Sequence, residues 1–210
     1  MALLLSADEL DALKELVNIG MGAAGAALGK ALGVFVELAV PGVDLANRRS
    51  LVTLLDSGPW ADREVEAVRQ PFFGAFVGES MMLFDGQGCA QLSTLPGYSS
   101  GSTPDASAAD HQEILLELAN VVIGACVNGF TEALGEIVSF AAPTRIGNRA
   151  EVQAFLSRDE VASQQGLVVD VDFRLEGHSL LSRVLVFLPE NSLHRIATAV
   201  TTLLNGLAAS

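Results

Sequence analysis

"DALKELVNIG", Asp11–Gly20, sets a Glu and an Asn three residues apart on a stretch whose Leu and Val are spaced for a helix. "EILLELANVV", Glu113–Val122, does almost the same. Sliding the sequence on itself by 102 positions aligns Asp11–Pro41 with Glu113–Pro143 without a gap, and 12 of the 31 pairs are identical. Average residue usage would give roughly two. The identities include Glu15 with Glu117, Asn18 with Asn120, Gly22 with Gly124, Gly33 with Gly135 and Pro41 with Pro143. A long repeat that occurs only twice is two copies of one supersecondary unit, not a solenoid.

Working outward, each copy reads alike. A long helix opens it after Ser6 or Ser107, both suited to N-capping with acids in the first turn, and Gly33 or Gly135 stops it. Short strands follow, "VFVELAV" and "EIVSFAA", each closed by the shared proline. A shorter helical segment comes next, at about 46–55 and 150–158. A hairpin follows: "VEAVRQPFFGAFV" turning at Gly78-Glu79 into "SMMLF", and "LVVDVDFRLE" turning at Glu176-Gly177 into "SLLSRVLVFL". The second copy ends in a helix, Ser192–Leu204, for which the first has only the short "GCAQLSTL". "PGYSSGSTPDASA" joins the copies as a Gly/Ser/Pro linker. The predicted architecture is α+β: pseudo-two-fold duplicated α-β-α-β-β units, with a largely antiparallel sheet flanked by helices. Residues 1–210 form one domain of two repeats, about 7–96 and 108–206.

Composition narrows the function. The 210 residues are 50% hydrophobic, with mean hydropathy +0.41 and a formal charge of -13. Such a chain is globular and is repelled by nucleic acid and by acidic membrane surfaces. Cys89 and Cys126 lack metal-ligand spacing and read as reduced core residues. "MALLLSADEL" has no basic flank or small-residue cleavage site, and no stretch reaches about 18 uninterrupted apolar residues, so a cytoplasmic protein is expected. His111, His178 and His194 stand apart from any carboxylate or thiol at ligand spacing, so no metal site is assigned. "GESMM" lacks the second glycine of a nucleophile elbow. Trp60 reads as a packed loop aromatic, and Phe72, Phe73, Phe76 and Phe84 as lining the buried sheet face.

On the first helix Leu10, Leu13, Val17, Met21, Ala24 and Leu28 define the buried stripe. Asp11, Glu15, Asn18 and Gly22 recur at the same steps on a different face, and Glu113, Glu117, Asn120 and Gly124 repeat them. Glu and Asn are therefore outward neighbours beside a glycine that leaves the helix surface bare. Asn is a mediocre helix-interior residue, so its retention in both copies points to use. An amide carries a donor and an acceptor and can hold one water in a fixed direction. Phosphoryl transfer needs an in-line water, a metal and charge stabilisation, with little covalent help. This chain has no phosphate-binding loop, so phosphate, metal and Lys would have to come from a partner.

The residues resemble the CheC/CheX/FliY phosphatases of chemotaxis, whose signature is Asp or Ser, three residues, Glu, two residues, Asn, 22 residues, Pro. Asp11, Glu15, Asn18 and Pro41 fit it completely; Glu117, Asn120 and Pro143 fit the second copy, where Glu113 replaces Asp or Ser. The resemblance implies docking on a phosphorylated CheY-type response regulator. Asn18 and Asn120 would orient water onto its aspartyl phosphate, and Glu15 and Glu117 would pair with its active-site Lys. Asp11, Gly22, Glu113 and Gly124 would belong to the docking face. It implies no cofactor of the chain's own, Mg²⁺ being held by the regulator. Two sites in one chain of this length are similar to CheC, the two-site, stand-alone form. The alternative is a non-catalytic module that binds the regulator or a CheD-like deamidase.

Overall fold

The computed structural model describes residues 5–46, 48–86, 88, 104–158, 165–175 and 178–208. The first unit contains α1 (Ala7–Leu32), β1 (Val36–Ala46), α2 (Arg48–Leu55), a 3-10 turn (Gly58–Trp60), β2 (Val65–Gly74) and β3 (Gly78–Asp85). The second contains α3 (Pro104–Ala133), β4 (Val138–Phe140), β5 (Thr144–Gly147), α4 (Arg149–Leu156), β6 (Gln165–Leu175), β7 (His178–Leu188) and α5 (Glu190–Ala208).

Local chemistry sets the helix ends. The Ser6 hydroxyl accepts from the Glu9 N–H while the Glu9 carboxylate accepts from the Ser6 N–H at 2.7 Å, a reciprocal cap. Gly33, at φ 68°, closes α1 through its N–H to the Gly29 carbonyl. Gly135, at φ 73°, does so for α3 through the Glu132 carbonyl. Sequence spacing predicts that α3 starts after Ser107; it starts at Pro104. Proline suits the first turn because its φ is already helical and its missing N–H has no intrahelical use there.

Strands run in the order β1-β6-β7-β3-β2-β4, with β5 also on β2, and every pairing is antiparallel. At the centre Met82 faces Val184, flanked by Ser80 opposite Val186 and Phe84 opposite Ser182. Positions 102 apart thus exchange places about the Met82–Val184 pair, which marks the pseudo-two-fold. At the edges the units trade strands: β1 lies on β6, and β4 and β5 lie on β2. The registers correspond, Leu38 facing Phe173 as Phe140 faces Phe72, and Gly42 facing Asp170 as Thr144 faces Arg69. Pro41 does not end its strand as the sequence suggests, while Pro143 lies where the second strand stops. β1 passes Pro41 with a register shift between Ala39 and Gly42, whereas the second edge breaks at 141–143 and resumes as β5.

The β2–β3 turn occupies 75–77 rather than Gly78-Glu79. A Cβ at Gly78 would lie 2.7 Å from the Phe187 carbonyl oxygen, so that glycine belongs in the strand, against its neighbour's backbone. The Glu176-Gly177 turn and all of "GCAQLSTL" except Gly88 lie outside the described residues.

Strand alternation feeds two cores. Leu167, Val169, Val171 and Phe173 of β6, with Val184 and Val186 of β7, face the layer of α1, α3 and α5. Val168, Leu185 and Phe187 face α2, α4 and Trp60 on the other side. Phe72, Phe76 and Phe84 are buried, but Phe73 is exposed, because consecutive strand residues point to opposite faces. Residues His111–Ala133 of α3 are long and apolar enough to cross a membrane, with mean hydropathy 1.7. Here Ile114, Leu118, Val122 and Ile123 are instead buried in the core. Cys126 is wholly buried, which pushes its thiol up to about 12.

Candidate functional site

On α1, Leu13, Val17, Met21, Ala24 and Leu28 are buried, and Leu10 partly so. Asp11, Glu15 and Gly22 are exposed, and Asn18 is half-buried. On α3, Glu113, Glu117 and Asn120 are exposed, with Gly124 half-buried. A Cβ placed on Gly22 or Gly124 would meet nothing within 4 Å, so both glycines leave open surface. Among the described residues, none of the four stripe carboxylates has an ion-pair partner.

The two helices lie against each other through different glycines. A Cβ at Gly20 would stand 2.6 Å from the Ala125 carbonyl oxygen, and one at Gly129 would stand 2.8 Å from that of Leu16. These pairs put α1 and α3 in antiparallel contact and carry the stripes to separate places: Asn18 over the β1 edge, Asn120 over the β2–β4 edge.

Each Asn is pinned by its carbonyl. Asn18 Oδ1 accepts from the backbone N–H of Val40 at 3.0 Å. Val40 and Pro41 fall in the register shift of β1, so the bulge releases this N–H from the strand ladder. Asn120 Oδ1 accepts instead from the side chain of Gln70 on β2, at 2.7 Å. Gln70 Nε2 also donates to the Ala141 carbonyl at 3.0 Å. Among the described residues neither Asn Nδ2 has a partner. Each amide therefore keeps its two N–H donors and one carbonyl lone pair for a visitor.

Sequence reasoning singled out both stripes but missed Val40, Gln70 and Ile19. Ile19 stands 73% exposed beside Asn18. Helical spacing could have placed Ile19, since it falls outside the buried stripe. Gln70 was visible as a polar residue in step with Val68 and Phe72. Among the described residues no three His, Cys, Asp or Glu side chains gather to hold a metal ion.

No family model and no curated protein sequence matches the chain. Solved structures do. FliY of Thermotoga maritima superposes with a TM-score of 0.72 at 18% identity, covering 95% of this chain and 99% of that one. The middle domain of FliM from Vibrio alginolyticus gives 0.61 at 13% identity, covering 89% and 99%. FliM of H. pylori, solved in a complex with FliG, gives 0.58 at 13% identity, covering 92% and 99%.

Proposed function

Given that the chain has the fold of the CheC/CheX/FliY family, we propose that it is a phosphatase for the aspartyl phosphate of a CheY-type response regulator. The observation that carries this reading is the pair of outward carboxamides, each held by its carbonyl with its N–H side open and a free carboxylate one helical turn away. Asn18 or Asn120 orients a water in line with the regulator's phosphoryl group. The water oxygen bonds to phosphorus as the bond to the aspartyl oxygen breaks, and the proton leaves with inorganic phosphate. Glu15 or Glu117 pairs with the regulator's Lys, a charge-assisted contact typically worth about 1.5–3 kcal/mol. The regulator contributes Mg²⁺, for which its own acidic pocket is suited. On this reading the protein acts in the cytoplasm, in chemotaxis or a related two-component circuit.

A second reading keeps the docking and drops the chemistry: a module that binds a regulator or a CheD-like deamidase. Exposed Ile19 beside the first stripe suits protein docking under either reading. Phosphate release from a regulator charged with acetyl phosphate separates them. Catalytic release, many phosphates per chain, supports the phosphatase; unchanged autodephosphorylation with tight binding leaves the module.

A further inference from the structure

Gln70 is 1% exposed, on the face of β2 that meets α3. Both hydrogens of its Nε2 are engaged, one by Asn120 Oδ1 and one by the Ala141 carbonyl. Its own Oε1 is buried without a partner. Turning this amide over would aim that oxygen at the Ala141 carbonyl oxygen, acceptor against acceptor. A backbone carbonyl in the broken stretch 141–143 thus fixes Gln70, and Gln70 in turn offers Asn120 only a donor. Asn120 must answer with Oδ1, which sends Nδ2 outward.

The first unit reaches the same outcome without such a residue. Ala39 faces Asp172 as the Ala141 N–H bonds to the Pro71 carbonyl, so Val171 stands where Gln70 does. Val171 is buried and apolar, and Asn18 is held by the Val40 N–H instead. A position that serves packing alone is filled by valine. The other copy keeps an unsatisfied buried acceptor there, a penalty offset by the two hydrogen bonds its Nε2 donates, to Asn120 and to the Ala141 carbonyl.

We propose that Gln70 is the positioning residue of the second site: it holds the Asn120 carboxamide with its N–H side outward, while the first site is held by backbone alone. The inference rests on the phosphatase reading for its kinetic consequence, but not for its geometric one. The two sites then differ in how they fail. No substitution short of proline removes the Val40 N–H, whereas one change at Gln70 frees Asn120.

The test uses Gln70→Val, which copies position 171, and Gln70→Glu, which keeps size but loses the donor. Side-chain amide NMR signals of Asn18 and Asn120, identified by their loss in Asn18→Ala and Asn120→Ala, read the geometry directly. Both variants are expected to shift and mobilise the Asn120 signal and leave that of Asn18 unchanged. In the Asn18→Ala background, where only the second site works, phosphate release at saturating regulator should fall at least tenfold. Binding of the beryllofluoride-activated regulator should stay within twofold. An Asn120 signal that stays rigid and unshifted in both variants overturns the proposal, as does an equal loss of rate at the two sites. If the unmodified chain releases no phosphate, the phosphatase reading fails, and the Asn120 signal still decides the role of Gln70.

Discussion

Asn18 and Val40 are joined by a hydrogen bond, Val40 N–H to Asn18 Oδ1, that spans a helix and the strand after it. The motif spacing from Asn18 to Pro41 gains a physical meaning from this bond. A proline cannot donate to a sheet ladder, and the register shift around it turns the preceding N–H toward the helix above. The proline of the motif is thus an indirect part of the amide's mounting.

Replacing the amides tests the water-orienting role. Asn18→Ala and Asn120→Ala should each lower phosphate release while leaving docking nearly intact, and the double variant should show none above regulator autodephosphorylation. Single-turnover dephosphorylation, measured alongside binding of beryllofluoride-activated regulator, checks this. Full activity in the double variant would sink the phosphatase reading.

The carboxylates should behave in the opposite way. Glu15→Ala and Glu117→Ala each lose a charge-assisted contact, so the regulator should bind more weakly by about 1.5–3 kcal/mol per site, and more weakly still in Glu→Lys variants. Because the side chains are exposed, added salt should narrow the difference. Titration calorimetry at two ionic strengths reads both effects.

The glycines separate packing from docking. Gly20→Ala drives a methyl into the Ala125 backbone and should destabilise the fold by about 1–3 kcal/mol. Gly22→Ala enters open space and removes a glycine from a helix interior, so it should stabilise by about 0.5–1 kcal/mol. The same methyl would stand on the proposed docking face and should weaken regulator binding. A Gly22→Ala chain with raised melting temperature and unchanged docking would remove Gly22 from that face.

Glu9 gives a pH signature. A hydrogen bond from Thr201 on α5, then the bond from the Ser6 backbone, hold its carboxyl below the ordinary value of 4.5. A group lowered on folding adds stability that is present above its unfolded value and fades as pH falls through its folded one. Thr201→Val should therefore cost stability at neutral pH and progressively less in acid. Urea denaturation of both chains across that range measures the convergence; a difference independent of pH would place the effect in packing.

Much of this was legible in the sequence because it is local. Ser6, Gly33 and Gly135 act within a few residues, and the buried stripe of α1 follows from helical spacing alone. The exchange of edge strands was not legible, since nothing in β1 names β6 as its partner. Nor was the mounting of Asn120, which depends on β2 lying beneath α3. Phe73 was misread because it was grouped with Phe72, although neighbours in a strand face opposite ways.

The traded edges decide how the two units hold each other. Among the described residues only β2–β3 and β6–β7 pair within a unit; β1–β6, β3–β7, β2–β4 and β2–β5 all cross between units. Either unit by itself presents a hairpin with both flanks bare and a loose edge strand, and the other unit covers all of these at once. The arrangement has the form of a two-fold homodimer joined into one chain, in which the equivalent positions 70 and 171 carry different residues, Gln and Val.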